Sequence, residues 1–122
     1  MKQHQDAVLV VEDEILIRLS IVDELMEHGF QVFEAGNADE AIASLEQHQD
    51  IRLVFTDIDM PGSMDGLRLA AFVRDRWPPI KIIVTSGRFL PNAHELPENA
   101  EFFTKPYDYA AVIAEMNRLL LA

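Results

Sequence analysis

The sequence predicts an α/β protein, in which helices cover both faces of a doubly wound parallel sheet. Five short apolar runs, rich in valine, isoleucine and phenylalanine, are typical of strands buried on both sides. Helix-compatible stretches separate these runs, as expected for parallel strands joined by right-handed crossovers. The 122 residues show no internal repeat and no low-complexity linker, so we expect one domain over residues 1–122.

The first half of the chain predicts two strands, each followed by a helix. Ala7–Val11 is the first strand, and a helix is predicted over residues 14–28. Apolar residues at i, i+4, i+7 and i+11 give this helix an expected inward face of Ile15, Leu19, Val22 and Met26. Phe30–Ala35 is the second strand. Asn37 and Glu40 have the spacing of a capping box, which opens a helix with an inward stripe of Ala38, Ala41, Ile42 and Leu45.

The third strand, Ile51–Thr56, runs directly into Asp57. A helix is predicted from about Asp65 to Arg76, with an inward face of Leu69, Phe72 and Val73. Two consecutive prolines follow Trp77 and end this helix, because a residue that precedes proline disfavours helical geometry. Ile80–Ser86 is the fourth strand.

Two prolines restrict the segment that follows the fourth strand. Pro91 and Pro97 leave room for only a short helix between them. Ala100–Thr104 is the fifth strand. Asp108 is expected to cap a last helix with inward residues Tyr109, Val112, Ile113, Met116 and Leu120. The chain therefore predicts five strands and five helices.

The composition excludes several classes of function. The formal net charge is −11, and no basic cluster compensates for it, which argues against direct nucleic-acid binding. The chain has no cysteine, so disulfides, thiolate metal sites and thiol catalysis are excluded. No apolar run reaches the ~18 residues of a membrane span, and the polar first residues contain no secretory signal. We therefore expect a cytoplasmic protein without membrane insertion.

Polar residues follow the predicted strands at their carboxyl ends, where doubly wound sheets bind ligands. These residues are Glu12, Asp13, Glu14, Asp57, Thr85, Ser86 and Lys105. Carboxylates ~4 Å apart repel each other by roughly 4 kcal/mol per pair at an effective dielectric of about 20. Converging acids therefore need a cation, and hard oxygen ligands favour Mg²⁺, which commonly bridges carboxylates to phosphate.

Four motifs occur in one order along the chain: "VLVVEDE", "VFTDIDMPG" followed by "DG", "IIVTSG" and "FFTKPY". Together they resemble a response-regulator receiver domain of two-component signalling, over essentially the whole chain. The resemblance implies a flavodoxin-like five-stranded sheet of order 2-1-3-4-5. It also implies a phospho-acceptor that is not an enzyme, beyond self-phosphorylation from small donors and autodephosphorylation. The implied partners are a sensor histidine kinase or a histidine phosphotransfer protein, and an unknown downstream protein.

The resemblance assigns roles to the matching residues. Asp57 is expected to accept the phosphoryl group, and its carboxylate needs no base because it is ionised at neutral pH. Thr85 and Lys105 are expected to contact phosphoryl oxygens, while Thr85 and Phe102 are expected to move on activation. The expected Mg²⁺ ligands are Glu12, Asp13, Asp57 and the backbone carbonyl of Asp59.

Three features depart from the usual receiver pattern. The loop at Gly62–Met64 is one residue longer, Ser86 stands where a small residue is usual, and the helix between Pro91 and Pro97 is short. The short helix leaves both a monomer and a phosphorylation-dependent dimer open. The "DIDMPGSMDG" loop and "VTSGR" are most similar to stand-alone receivers that accompany HWE-type sensor kinases. The last predicted helix reaches residue 122, so no output domain is expected.

Two alternative functions remain to be weighed. Asp57 and Asp59 also fit the D-x-D motif of haloacid-dehalogenase-type phosphohydrolases, in which the second aspartate is a general acid/base. That family places the motif after its first strand, whereas here it follows the third, and the acids at residues 12–13 would have no role. The other alternative is a receiver-like interaction module without phosphate turnover, which would not need the full set of polar site residues. The cognate kinase, the stimulus and the downstream target are open.

Overall fold

The computed structural model describes residues 6–62, 64–88, 91–92 and 95–121. Its sheet has five parallel strands in the order β2-β1-β3-β4-β5, which confirms the predicted order. The strands are β1 (Ala7–Val11), β2 (Gln31–Ala35), β3 (Ile51–Asp57), β4 (Lys81–Ser86) and β5 (Glu101–Thr104).

The described part of the chain contains four helices: α1 (Ile15–Glu27), α2 (Ala38–Gln47), α3 (Gly66–Arg76) and α4 (Tyr109–Leu121). The short helix predicted between Pro91 and Pro97 falls partly on residues 93–94, which lie outside the described residues, as does Ser63 of the longer loop. None of the helices in the described ranges has the length and apolar character needed to cross a membrane.

The core has two layers, one on each face of the sheet. Leu9 of β1 packs in the layer that includes residues of α2 and α3, whereas Val8 and Val10 pack in the layer that includes residues of α1 and α4. Every residue of β1 is buried, which explains why this strand reads as a continuous apolar run. Each fully buried aliphatic side chain stabilises the fold by about 1.5–3 kcal/mol.

The predicted inward face of α1 is wrong in three of its four residues. Ile15, Leu19 and Met26 are exposed, and only Val22 of the predicted stripe is buried. The buried residues of this helix are Ile21, Val22 and Leu25. Apolar side chains occupy more than one face of α1, so the periodicity alone could not identify the face that packs on the sheet.

The inward faces of the other helices agree with the sequence. The predicted residues that are buried are Ala38, Ala41, Leu45, Leu69, Val73, Val112, Ile113, Met116 and Leu120. Phe72, Ile42 and Tyr109 are half-buried instead. Asn37 caps α2 through a 2.9 Å hydrogen bond from the Glu40 backbone N–H, as the capping box predicted.

Candidate functional site

An open pocket of about 850 Å³ lies at the carboxyl ends of the strands. It is lined by Asp13 after β1, by Asp57 at the end of β3 and by Lys105 after β5. Asp59 and Gly87 also line it. Four of the seven polar residues predicted to converge line this pocket, namely Asp13, Glu14, Asp57 and Lys105, whereas Glu12, Thr85 and Ser86 are buried and do not line it.

Asp57 is the last residue of β3 and is only 3% exposed. Its Oδ2 atom lies 3.1 Å from the Lys105 Nζ. Its Oδ1 atom is buried and has no hydrogen-bond partner among the described residues. Burial raises the pKa of Asp57, although the Lys105 ammonium and the backbone N–H of Asp59 oppose the rise. A buried oxygen without a partner is costly, so this atom is suited to bind a ligand.

Three carboxylates form a compact cluster, and two of them, Asp13 and Asp57, line the pocket. Glu12, Asp13 and Asp57 each offer one oxygen, and these oxygens lie within 4.8 Å of one another. At such distances the negative charges repel strongly. The all-oxygen donor set fits Mg²⁺, and Asp59, whose backbone carbonyl is the fourth predicted ligand, lines the same pocket.

Lys105 supplies the positive charge of the site. Its Nζ atom lies 2.9 Å from Glu12 Oε1 and 3.1 Å from Asp57 Oδ2. Burial alone would lower the pKa of Lys105, but the two carboxylates outweigh burial and raise it. The pKa of Glu12 is raised by burial, despite its hydrogen bond to Lys105. The lysine therefore remains an ammonium that partly compensates the acidic cluster.

Thr85 is buried beside the site, whereas Phe102 lies one strand farther away. In the β3–β4 ladder Thr85 is the register partner of Asp57, and its carbonyl accepts a 2.8 Å hydrogen bond from the Ile58 N–H. Phe102 pairs with Val84 on β5 and is half-buried against the core. A movement of Thr85 or Phe102 on activation remains a prediction.

Gly66 brings the start of α3 against the end of β3. A Cβ atom at this position would overlap the backbone oxygen of Asp57 and would lie 2.7 Å from the Cα of Ile58. The Gly66 N–H donates a 3.0 Å hydrogen bond to the Ile58 carbonyl. Only glycine permits this approach, which fixes the backbone that carries Asp57.

The sequence missed two contacts of the site. The Ser86 hydroxyl donates a 2.7 Å hydrogen bond to Asp59 Oδ2. Arg18 of α1 donates a 2.8 Å hydrogen bond to the Glu12 carbonyl and forms an ion pair with Glu34. Ser86 stood out in the sequence as an unusual residue without an assigned role, whereas nothing distinguishes Arg18 from a surface arginine.

Comparison with known proteins identifies the family. Residues 8–117 match the model of the response regulator receiver domain. The chain is 33% identical to the sensor kinase CckA of Brucella abortus, over 93% of this chain and 12% of CckA. It is 29% identical to the response regulator receiver protein CpdR of the same organism, over 94% of this chain and 97% of CpdR.

A solved structure supports the same family. The response regulator protein TrrA from Thermotoga maritima, crystallised in complex with Mg²⁺-BeF, has a TM-score of 0.79 and 27% identity. The alignment covers 94% of this chain and 99% of TrrA. By contrast, this chain spans 12%, 50% and 48% of the length of three of its curated relatives, CckA among them.

The family match accounts for nearly the whole chain, and the observed strand order agrees with the one the sequence motifs implied. The comparisons give no support to a haloacid-dehalogenase-type phosphohydrolase. The chain belongs to the response regulator receiver domains, the phospho-accepting modules of two-component signalling systems.

Proposed function

We propose that this domain accepts a phosphoryl group on Asp57. The observation that carries the proposal is the Oδ1 atom of Asp57, which is buried in the acidic pocket without a hydrogen-bond partner among the described residues. A nucleophilic carboxylate needs a free lone pair, and the other oxygen, Oδ2, is already held by Lys105. Oδ1 is therefore the oxygen that would attack phosphorus.

In the transfer step, Asp57 Oδ1 forms a bond to phosphorus while the bond from phosphorus to the donor's histidine nitrogen breaks. The histidine then takes up a proton. Phosphoryl transfer depends mainly on positioning and on compensating negative charge. Lys105, which now bridges Glu12 and Asp57, would turn one of its three N–H groups to a phosphoryl oxygen, and the Thr85 hydroxyl would donate to another.

Glu12, Asp13, Asp57 and the backbone carbonyl of Asp59 would hold Mg²⁺. When bound, the cation would neutralise the clustered carboxylates and the charge that develops on the phosphoryl oxygens. The compact all-oxygen cluster supports this assignment. Support also comes from TrrA, which was crystallised in complex with Mg²⁺-BeF.

The phosphodonor would be a sensor histidine kinase or a histidine phosphotransfer protein that docks on α1. Ile15 and Leu16 are 60% and 81% exposed at the start of this helix. A groove of about 620 Å³ is lined by Leu16 of α1 and by Pro106 and Tyr109, which follow β5. Lys105 lines both this groove and the acidic pocket, so an apolar helix seated here would bring its histidine next to Asp57.

The output would be a contact with another protein, a relay of the group to a second histidine, or removal of phosphate from a kinase. Phosphorylation would reposition Thr85 and Phe102, which lie on neighbouring strands at the β4–β5 edge of the sheet. This change would alter the surface around β5. Both a monomer and a phosphorylation-dependent dimer fit the proposal, and a cytoplasmic location stays a prediction of the sequence.

Asp59 would give the phosphorylated domain a limited lifetime. Asp59 and Asp57 line the same pocket, and the charge of Asp59 adds slightly to the rise in the Asp57 pKa that burial causes. A carboxylate at this place would accept a hydrogen bond from water and orient it toward the phosphorus. The domain would thus release phosphate slowly without being a dedicated phosphatase.

Intact-mass spectrometry would test the proposal. We expect acetyl phosphate to add one phosphoryl group to the wild type in Mg²⁺, none in excess chelator, and none to Asp57→Asn. An adduct retained by Asp57→Asn would disprove the assignment of the acceptor. Neither an adduct nor release of inorganic phosphate would favour an interaction module without phosphate turnover.

A further inference from the structure

The Ser86 hydroxyl makes two hydrogen bonds that determine its direction. It accepts from the Arg88 backbone N–H at 3.2 Å and lies 2.7 Å from Asp59 Oδ2. A hydroxyl has one hydrogen to donate, and an ionised carboxylate can only accept. The hydroxyl hydrogen therefore points to Asp59.

Ser86 is the fixed partner of this pair. It is 1% exposed and ends β4, and its carbonyl accepts a 3.0 Å hydrogen bond from the Lys105 N–H. Asp59 follows the end of β3 and is half-buried in the pocket wall. The hydrogen bond thus holds a loop carboxylate against a rigid strand end.

We propose that Ser86 is a positioning residue that sets the lifetime of the phosphorylated domain through Asp59. Ser86 uses one lone pair of Oδ2, and a carboxylate has about four such sites. The remaining ones accept a hydrogen bond from water at the pocket rim, in an orientation that the serine fixes. This inference rests on the proposed phosphorylation of Asp57 and deepens it.

The step that Ser86 influences is the hydrolysis of the acyl phosphate. The water oxygen forms a bond to phosphorus while the bond between phosphorus and the Asp57 oxygen breaks. The products are the Asp57 carboxylate and inorganic phosphate, and the protons of the water remain on the phosphate or pass to solvent. Asp59 touches the attacking water, whereas Ser86 acts only through Asp59.

A double-mutant cycle separates this role from a general structural one. The cycle compares four proteins: the wild type, Ser86→Ala, Asp59→Ala and the double variant. Each is labelled with acetyl phosphate and Mg²⁺, the donor is removed, and the loss of the phosphoryl adduct over time is measured by intact-mass spectrometry. We expect each single variant to lengthen the half-life of the adduct by about 10-fold. The double variant is expected to match Asp59→Ala, because residues that act as one unit are not additive. Ser44→Ala is the control: it removes a serine hydroxyl on α2, and the half-life of its adduct should be unchanged.

Four outcomes would overturn the inference. An unchanged half-life in Ser86→Ala, or additive effects in the double variant, would show that the serine does not act through Asp59. A loss of the Mg²⁺-induced rise in melting temperature in Ser86→Ala would assign Ser86 to the metal site instead. Neither an adduct nor release of inorganic phosphate with the wild type would overturn both this inference and the proposed function, whereas an adduct whose half-life is the same in Ser86→Ala would overturn the inference alone.

Discussion

At the level of single residues, the ammonium group of Lys105 holds two buried carboxylates together. Glu12 and Asp57 are almost fully buried, and both contact this one side chain. Burial raises the pKa of each acid, so the charged forms are kept in the folded protein at a cost. The lysine thus has a structural role before any phosphoryl group arrives.

Replacing Lys105 by alanine is expected to lower the free energy of unfolding by about 3 kcal/mol in chelator, because two buried carboxylates lose their counter-charge. Mg²⁺ should restore part of the lost stability, since its proposed ligands are intact. In addition, phosphorylation of this variant should no longer alter the β5 surface. Urea denaturation with and without Mg²⁺ measures the stability. Lys81→Ala, at the opposite end of β4, is the control, and equal stability of the two variants would contradict the prediction.

Only some of the side-chain contacts in the site could be predicted from the sequence. The sequence predicted that Asp13, Asp57 and Lys105 lie close together, because each follows or ends a strand and parallel strands end at one edge of the sheet. The bond between Ser86 and Asp59 depends instead on the path of a loop, and no periodicity encodes that path. The contact of Arg18 with the Glu12 carbonyl depends on the docking of α1 and was missed for the same reason.

At the level of secondary structure, the junction of β3 with α3 determines where Asp57 sits. Asp65 caps α3 by accepting a 2.9 Å hydrogen bond from the Arg68 N–H, and Gly66 allows the first turn to touch the strand end. The capping residue Asp65 and Gly66 are adjacent in the sequence. The helix start is therefore part of the site, although neither residue is proposed to touch the phosphoryl group.

Gly66→Ala is expected to destabilise the domain by about 3 kcal/mol, because the new methyl group overlaps the Asp57 backbone. The displaced strand end should also slow labelling by acetyl phosphate. Gly87→Ala is a matched control, since its methyl group would lie 3.4 Å from the Lys105 Cβ, an ordinary contact. Thermal melting compares the two variants, and equal melting temperatures would show that α3 can shift without cost.

The exposed apolar residues of α1 lead to a prediction about partner binding. Leu16→Ser should reduce phosphotransfer from a phosphorylated histidine kinase about 10-fold, because it removes apolar surface from the proposed docking groove. Labelling by acetyl phosphate should be unchanged, since the pocket is intact. Met26→Ser changes an exposed residue at the far end of the same helix and should transfer normally. Equal rates for both variants would place the kinase elsewhere.

The helix α1 also shows why one part of the fold could not be predicted. Sequence periodicity gave the correct inward face for α2 and α4, where polar residues occupy the opposite face. In α1 apolar residues extend round the helix, and the predicted face of Ile15, Leu19 and Met26 is the exposed one. Binding of a partner to this exposed face would explain the apolar residues on both sides of α1, because one face would pack on the sheet and the other on the partner.

At the level of the whole molecule, the net charge of −11 destabilises the folded domain by repulsion between its acidic side chains. We therefore expect NaCl and MgCl₂ both to stabilise the fold by screening this repulsion, but by different amounts. At equal ionic strength we expect millimolar MgCl₂ to raise the melting temperature well above the value in NaCl, because Mg²⁺ is proposed to bind the native cluster whereas Na⁺ only screens the charges. Asp13→Asn should have a higher melting temperature than the wild type in chelator, because one of the repelling charges is removed. Its melting temperatures in MgCl₂ and in NaCl should be the same. Asp23→Asn, an exposed acid on α1, should keep the difference, and an equal response of wild type to both salts would argue against the metal site.

The contacts of Arg18 would connect the two proposed binding events, of Mg²⁺ and of the kinase. The arginine lies on α1, the helix proposed to meet the kinase. Its side chain donates hydrogen bonds to the backbone carbonyl of Glu12 and to the carboxylate of Glu34 in β2. A partner that shifts α1 would therefore also shift a ligand of the cation. Thermodynamic linkage makes such coupling reciprocal, so Mg²⁺ would change the affinity of the domain for its kinase by the same factor by which the kinase changes the affinity for Mg²⁺.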